Sequence, residues 1–249
     1  MTAGFDLTGR RVVLTGAGQG LGSVLAAAFD AAGADLTLVA RTESKLVAVA
    51  DQLIREPLVL AGDVREAEFN EFVAARTMEH FGGLDVWISN AGISPQLNDV
   101  TSMDPDVWRD IVDTNLTGVF LGSRAAAAVM GPGGRIIATG SVLGDRPRGG
   151  LSAYSGSKAG VHSFVQALAI ELGPKAITVN AVAPGWFDAG LGVHWRKSER
   201  RDNHIVEHTA LGRWGTAEDL PGAYLFLASH ASAYITGTTI TVDGGYSLL

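Results

Sequence analysis

The chain has 249 residues, a formal net charge of −7 and no cysteine. The lack of cysteine excludes disulfide bonds and thiolate metal sites, and the acidic balance gives no support for a nucleic-acid-binding surface. No apolar segment is long enough to span a membrane, the N-terminal residues lack the apolar core of a signal peptide, and the histidines have no metal-ligand spacing. We therefore expect a cytoplasmic protein with no metal and with neither nucleic acid nor membrane as a partner.

Short apolar segments alternate with longer, alanine-rich segments along the sequence. The apolar segments lack alternating polar residues, which is typical of strands covered on both faces of a parallel sheet. The predicted strands are residues 11–14, 36–39, 58–60, 84–89, 135–139, 177–182 and 239–242, and the predicted helices are residues 21–32, 43–54, 66–81, 105–129, 152–172 and 217–228. This order predicts one α/β domain over residues 1–249, a three-layer α/β/α sandwich around a seven-stranded parallel sheet.

A long irregular segment is predicted at residues 184–216. It carries the aromatic residues Trp186, Phe187 and Trp214, together with a run of charged residues at 196–202. Long segments of this kind in compact domains often cover a binding site. We therefore expect a substrate lid over about residues 186–215.

The turn between the first strand and the first helix is rich in glycine. Gly16, Gly20 and Gly22 fit the pattern T-G-x-x-x-G-x-G. Such glycines let the backbone turn sharply and approach a pyrophosphate, while the helix N-terminus supplies amide donors. The turn predicts dinucleotide binding on a Rossmann-type fold, and a tight turn without a ligand is the alternative.

Further motifs occur in order along essentially the whole chain. They are Asn90-Ala91-Gly92 after the fourth strand, Asn115 in a helix, Ser141 after the fifth strand, Tyr154 and Lys158 as Y-x-x-x-K, Pro184-Gly185 after the sixth strand, and V-D-G-G at residues 242–245. Together with the glycine turn, they resemble the short-chain dehydrogenase/reductase family. The resemblance implies an NAD(P)-dependent oxidoreductase that interconverts a ketone and a secondary alcohol, assembled as a homotetramer or homodimer.

Tyr154 and Lys158 are four residues apart, so a helix presents both side chains on one face. A phenol has a pKa near ~10, and a nearby ammonium group favours its ionised form, which would suit Tyr154 to general acid–base chemistry. The resemblance implies that Tyr154 transfers the proton and that Lys158 also holds the nicotinamide ribose. It further implies that Ser141 positions the substrate oxygen and that Asn115 holds a water molecule linked to Lys158.

The resemblance also implies a set of cofactor-binding residues. They are Gly16, Gln19, Gly20, Leu21, Gly22, Arg41, Asp63, Val64, Asn90, Ala91, Gly92, Tyr154, Lys158, Pro184, Gly185 and Phe187. Ala40 stands where NAD-selective relatives carry Asp, and the guanidinium of Arg41 suits a 2′-phosphate. Gln19 stands where some NADP-selective relatives carry a basic residue. The sequence therefore favours NADP(H), with NAD(H) as the alternative.

The predicted substrate-binding residues are Ser141, Leu143, Tyr154 and Trp186. Their apolar and aromatic character suits a hydrophobic or cyclic ketone, although the lid aromatics could instead pack on the domain or on a neighbouring subunit. The sequence thus predicts a carbonyl reductase or alcohol dehydrogenase. A 3-oxoacyl-(acyl-carrier-protein) reductase is the first alternative, and the scarcity of basic residues before Arg135 argues against it. A non-catalytic dinucleotide-sensing protein is the alternative of another class.

Overall fold

The computed structural model of the chain describes residues 5–94, 97–190, 196 and 198–249. Within these residues, seven strands form one parallel sheet in the order β3-β2-β1-β4-β5-β6-β7. The strands are β1 (Arg11–Thr15), β2 (Asp35–Ala40), β3 (Leu58–Ala61), β4 (Val86–Ser89), β5 (Arg135–Thr139), β6 (Thr178–Pro184) and β7 (Thr239–Val242). The predicted seven-stranded parallel sheet is confirmed.

Helices cover both faces of this sheet. They are α1 (Leu21–Ala31), α2 (Glu43–Ala50), α3 (Ala67–Phe81), α4 (Pro105–Val112), α5 (Gly118–Val129), α6 (Val142–Asp145), α7 (Ser152–Leu172), α8 (Glu199–Glu207) and α9 (Pro221–Ala228). None of the described helices is both long and apolar enough to cross a membrane.

The apolar strands supply two cores, one on each face of the sheet. Val12 and Leu14 of β1 belong to one core with Phe29 of α1 and Tyr224 of α9. Val13, which points the other way, belongs to a second core with residues of α3, α5 and α7. Burial on both faces explains why the strands lack alternating polar residues.

The order of the strands creates a crevice above β1. This strand pairs with β2 on one side and with β4 on the other. The strands β2 and β3 therefore extend the sheet to one side of β1, and the strands from β4 onward extend it to the other side. Ligands of open α/β sheets bind where the strand order reverses in this way, outside the carboxyl ends of the strands. The glycine turn and the end of β4 meet at this point.

The helix predicted over residues 105–129 is wrong in its middle. A π-helical turn, Asp113–Thr117, separates α4 from α5. At its centre, the Asn115 amide donates to the carbonyl oxygen of Ile93 and accepts from its amide nitrogen, each at 2.8 Å. This contact with another part of the chain has no signature in the local helical pattern, and such bulges are frequent at functional sites.

Other elements also differ from the prediction: β4 begins at Val86 instead of residue 84, and the short helix α6 was not predicted. Helix α2 ends at Ala50 instead of residue 54, and the Asp30 carboxylate accepts from the amide of Ile54 at 2.6 Å. The segment predicted as irregular contains α8, which buries Ile205 against Trp214. The helix predicted from residue 217 begins as a separate 3₁₀ turn, because Pro221 starts α9.

Candidate active site

A cavity of about 650 Å³ lies at the carboxyl ends of the six strands β1 to β6. Its lining includes the predicted residues Gly16, Gln19, Gly20, Leu21, Gly22, Arg41, Asp63, Val64, Asn90, Ala91, Gly92, Ser141, Leu143, Tyr154, Lys158, Pro184, Gly185, Trp186 and Phe187. Asn115 is instead fully buried behind the wall. The fold thus brings residues from seven separate parts of the sequence to one cavity.

The glycine turn forms a tight cradle at one end of the cavity. Gly16 and Gly20 have φ values of 69° and 60°, in the left-handed region that favours glycine. A Cβ atom at Gly22 would lie 2.0 Å from the carbonyl oxygen of Gly16, and one at Gly20 would lie 2.7 Å from Cα of Gly190. Only glycine fits this turn, which leads directly into the first-turn amides of α1, and such amides lack partners within the helix.

Thr15 ties the ends of β1 and β4 together beneath this cradle. Its hydroxyl oxygen accepts from the backbone amides of Asn90 at 3.0 Å and Ala91 at 3.1 Å. The Asn90 side chain donates back to the carbonyl oxygen of Thr15 at 3.0 Å. These bonds hold the Asn90-Ala91-Gly92 segment against the glycine turn.

Asn115 supports the cavity wall by hydrogen bonds to the backbone of Ile93, which lines the cavity. Besides its two bonds to Ile93, its amide donates to the hydroxyl oxygen of Ser157 at 3.2 Å. It thereby links the segment after β4 to α7. A Cβ at Gly92 would lie 3.3 Å from Oδ1 of Asn115 and 3.6 Å from Nζ of Lys158, so both side chains approach the backbone of Gly92.

Tyr154 and Lys158 project from one face of α7, as their spacing predicts. Nζ of Lys158 lies 5.8 Å from the centre of the Tyr154 ring and donates to the carbonyl oxygen of Thr139 at 2.7 Å. Ser141 caps the N-terminus of α6, and its hydroxyl oxygen accepts from the amide of Leu143 at 3.1 Å. All three side chains therefore have defined orientations.

Burial changes the acid–base behaviour of this group. Burial lowers the pKa of Lys158 to about 8. For Tyr154, burial raises the pKa, and a hydrogen bond with Ser141 opposes that rise. The direction for Tyr154 is opposite to the one expected from its spacing to Lys158, because the desolvation of the phenolate outweighs the favourable contacts.

The helix that follows β2 carries a basic residue that the sequence analysis missed. Lys45, in the first turn of α2, lines the cavity beside Arg41 and Thr42. Its ammonium group donates to the side-chain oxygen of Gln19 at 2.6 Å. The signal in the sequence was a second basic residue one helical turn after Arg41.

Asp63, which lines the cavity after β3, is held in place by an ion pair with Arg65. Its carboxylate accepts from Arg65 at 2.7 Å, and Arg65 also contacts Asp110 at 2.8 Å. Although burial acts in the other direction, the hydrogen bonds from Arg65 and the charge of Arg41 lower the pKa of Asp63. Asp63 therefore presents a fixed negative charge near Arg41.

The aromatic residues after β6 pack on the domain and also face the cavity. The Trp186 ring centre lies 6.0 Å from those of both Trp214 and Tyr246, in edge-to-face contacts. The Phe187 side chain is buried against Gly215, where a Cβ would lie 2.8 Å from the ring. Of the predicted lid, residues 191–195 and 197 lie outside the described part of the chain.

Known proteins resemble this chain over nearly its whole length. The profile of the family described as Enoyl-(Acyl carrier protein) reductase matches residues 16–247. The 3-oxoacyl-[acyl-carrier-protein] reductase FabG of Escherichia coli (strain K12) is 36% identical over 242 residues, which cover 96% of this chain and 98% of that protein. The 2-dehydro-3-deoxy-D-gluconate 5-dehydrogenase of the same organism is 34% identical over 246 residues, with 97% of each chain covered.

A solved structure has the same fold as this chain. The short chain dehydrogenase from Burkholderia cenocepacia J2315, in complex with NADP, superposes with a TM-score of 0.90 at 32% identity. The match covers 97% of this chain and 99% of that structure. With the family match and the relatives at 34% and 36% identity, it follows that the chain belongs to the short-chain dehydrogenase/reductase family of NAD(P)-dependent oxidoreductases.

Proposed function

We propose that the protein interconverts a hydrophobic or cyclic ketone and its secondary alcohol, with NADP(H) preferred over NAD(H). The observation that supports this function is that Tyr154, Lys158 and Ser141 line the same cavity as the glycine turn. A dinucleotide fits this cavity, because the glycine turn lines it and leads into the first-turn amides of α1, which can donate to a pyrophosphate. When bound, the dinucleotide supplies or takes up a hydride at its nicotinamide ring.

Tyr154 is the proposed proton-transfer residue. Its raised pKa keeps the phenol protonated near neutral pH, which is the form needed to donate a proton to a carbonyl oxygen. The charge of Lys158 stabilises the phenolate that remains. This charge is present below its pKa of about 8.

Ser141 is the proposed partner of the substrate oxygen. Its oxygen accepts from the amide of Leu143, and its hydroxyl group also makes a hydrogen bond with Tyr154. We propose that this hydroxyl donates to the substrate oxygen once the substrate lies beside both side chains. A hydrogen bond to the substrate oxygen would stabilise the charge that develops there. Asn115 is proposed to support the site through Ile93 and Ser157 and to hold a water molecule near Lys158.

The preference for NADP(H) rests on the end of β2. Arg41 and Lys45 both line the cavity there, and Ala40 stands where a carboxylate would select NAD. Two cations in this position suit the additional 2′-phosphate of NADP. The first test is a fluorescence titration with NADPH and NADH, in which tighter binding of NADH would refute the preference.

The substrate end of the cavity supports an apolar ketone. Val142, Leu143, Leu151 and Trp186 line it, and Leu151 and Leu143 belong to one apolar cluster with Trp214. Among the described residues at this end, few polar groups besides Ser94, Ser141 and Tyr154 line the cavity to recognise the hydroxyls of a sugar. A panel of cyclic, aromatic and polyhydroxylated ketones tests this, and a marked preference for the polyhydroxylated ketones would contradict it.

A 3-oxoacyl-(acyl-carrier-protein) reductase is the second candidate, because relatives at 36% identity carry that name. Assay of a short 3-oxoacyl thioester beside the ketone panel separates the two candidates. Turnover of the thioester well above that of every ketone would favour the second. The presence of Tyr154, Lys158 and Ser141 at the cavity argues against the alternative of a non-catalytic dinucleotide sensor.

A further inference from the structure

A buried histidine lies directly behind Ser141. His162 follows Tyr154 and Lys158 on α7 at intervals of four residues, so the three side chains share one face of the helix. Tyr154 and Lys158 line the cavity, whereas His162 lies outside its lining and is only 7% exposed. Its position places the imidazole against the backbone that carries Ser141.

Both nitrogens of the His162 ring have partners. Nε2 lies 3.4 Å from the amide nitrogen of Ser141, and Nδ1 lies 3.1 Å from Oδ1 of Asp145. An amide N–H can only donate, so Nε2 accepts and the ring proton is on Nδ1, from which it is donated to Asp145. The contacts therefore specify a neutral ring in one tautomer.

The ring occupies space that two glycines leave on either side of Ser141. A Cβ at Gly140 would lie 2.3 Å from Nε2, and a Cβ at Gly144 would lie 2.9 Å from Cε1. Neither glycine has a positive φ, so backbone conformation does not account for them. At Gly144 the backbone of α7 also approaches, with the nitrogen of Ala159 at 3.0 Å. The segment from Gly140 to Gly144 is thus fitted closely around the imidazole.

We propose that His162, oriented by Asp145, is a positioning residue that holds Ser141 in place at the carboxyl end of β5. The Ser141 hydroxyl is fixed by the Leu143 amide and its backbone by His162. Loss of the hydrogen bond between the Ser141 amide and His162 lets the segment from Gly140 to Gly144 shift, and the Ser141 hydroxyl moves with that segment. This inference rests on the proposed function, in which that hydroxyl donates to the substrate oxygen.

The test compares two variants of His162, each in the native and in the Ser141→Ala background. His162→Leu removes both ring nitrogens, whereas His162→Gln keeps an acceptor near the position of Nε2. We expect His162→Leu to lower kcat about tenfold, as small displacements of a catalytic group do, with the Kd for NADPH unchanged. His162→Gln should recover most of the loss.

The Ser141→Ala background distinguishes positioning from a general structural role. If His162 acts through Ser141, His162→Leu has no further effect on turnover once Ser141 is alanine. An equal loss in both backgrounds would mean that His162 acts elsewhere, and would overturn the proposal.

Replacing Asp145 tests the orientation of the His162 ring without a change in the core, because the Asp145 side chain is 62% exposed. Long-range ¹H–¹⁵N NMR of the native protein should show His162 with its proton on Nδ1. Asp145→Ala should move part of this population to Nε2 and lower kcat about threefold, the effect of one hydrogen bond. Glu171→Ala, which removes an exposed carboxylate near the end of α7, should change neither measurement. A native Nε2–H tautomer, or an unchanged kcat in Asp145→Ala, overturns the proposal.

Hydrogen exchange at the Ser141 amide separates this inference from the proposed function. If Ser141→Ala keeps native turnover, the proposed role of the hydroxyl fails. The positioning role then still stands if His162→Leu accelerates exchange at the Ser141 amide. If exchange is not accelerated, His162 does not hold Ser141, and the inference fails whatever the turnover.

Discussion

Tyr154 and Lys158 show how far the chemistry of a residue depends on its surroundings. Burial raises the pKa of the phenol and lowers that of the ammonium group to about 8. Lys158 therefore loses its proton at a lower pH than Tyr154, which reverses the ordinary order of the two groups. The phenol is then protonated and Lys158 is largely charged near pH 7. This pairing suits the donation of a proton to a carbonyl oxygen, the direction of reduction.

Replacing the phenol tests its role in proton transfer. Tyr154→Phe should lower kcat by about 10²–10⁴, the usual contribution of a general acid, while the Kd for NADPH stays close to native because the cradle is intact. Steady-state assays and fluorescence titration measure the two effects. Tyr234→Phe, at a fully exposed tyrosine, is the control, and near-native turnover of Tyr154→Phe would refute the assignment.

Arg41 and Lys45 allow the cofactor preference to be tested at single residues. Arg41→Ala and Lys45→Ala should each raise the Kd for NADPH about tenfold, because each loses a charge-assisted hydrogen bond to the 2′-phosphate. The Kd for NADH should change little. Arg124→Ala, an exposed arginine on α5 whose side chain pairs with Glu71, is the matched control. Equal effects on both cofactors would show that neither residue recognises the phosphate.

At the scale of elements, short irregular segments shape the active site between regular helices and strands. The π-helical turn at Asp113–Thr117 brings Asn115 to Ile93, and α6 begins with Ser141 as its cap. The segment after β6 brings Trp186 to the cavity and packs it on Trp214. The contacts of Asn115 and Trp186 join parts of the chain that are distant in sequence, whereas the Ser141 cap is local.

Removal of the Asn115 amide should loosen this arrangement. Asn115→Ala leaves the amide and the carbonyl oxygen of Ile93 without their partners, which costs about 1–3 kcal/mol in all because both groups are only partly buried. The free energy of unfolding, measured with urea, should fall by an amount in this range. Asn203→Ala, at an exposed position on α8, provides the control. A native stability for Asn115→Ala would contradict the buried contacts.

Trp186 offers a test of the substrate end of the cavity. Trp186→Ala enlarges the apolar space beside Leu143, so the ratio of kcat/KM for bulky over small ketones should rise. The measurement is the ranking of a ketone panel. Trp108→Ala removes a half-exposed tryptophan on α4 and should leave the ranking intact. An unchanged ranking in both variants would assign Trp186 to packing alone.

For the whole molecule, the two edges of the sheet have separate roles. The carboxyl ends of the strands carry the cavity, and the amino ends carry ion pairs that stabilise the fold. Asp85, just before β4, accepts from the Arg11 side chain at 2.6 and 2.9 Å and from its amide at 2.9 Å. Burial opposes the shift, but these bonds and the charges of Arg11 and Arg10 lower the pKa of Asp85.

This shift predicts how stability depends on pH. Because the folded-state pKa of Asp85 lies below its unfolded value of ~3.9, its contribution is fully present above that value and is lost as the pH falls through the folded-state pKa. Asp85→Asn should therefore lower the free energy of unfolding by about 1–3 kcal/mol at pH 7, and the difference from native should shrink below about pH 4. Denaturant unfolding at several pH values measures it, with Asp51→Asn as an exposed control. A difference that does not vary with pH would exclude the ion pair as its source.

The sequence by itself determined the seven-stranded parallel sheet and most of the residues that line the cavity. Parallel strands with right-handed crossovers allow few arrangements, so the apolar pattern was enough to predict the sheet. Since strand ends of a parallel sheet meet at one edge, the motifs that follow β1, β4, β5 and β6 had to lie together.

Only the tertiary structure decided the contacts between residues that are distant in the chain. The break at Asn115, the bond from Lys45 to Gln19 and the packing of His162 behind Ser141 leave no periodic pattern in the sequence. The direction of the Tyr154 pKa shift was also decided there, because desolvation depends on everything that surrounds the phenol. Local spacing predicts which side chains share a face, whereas burial and the partners across that face are properties of the folded chain.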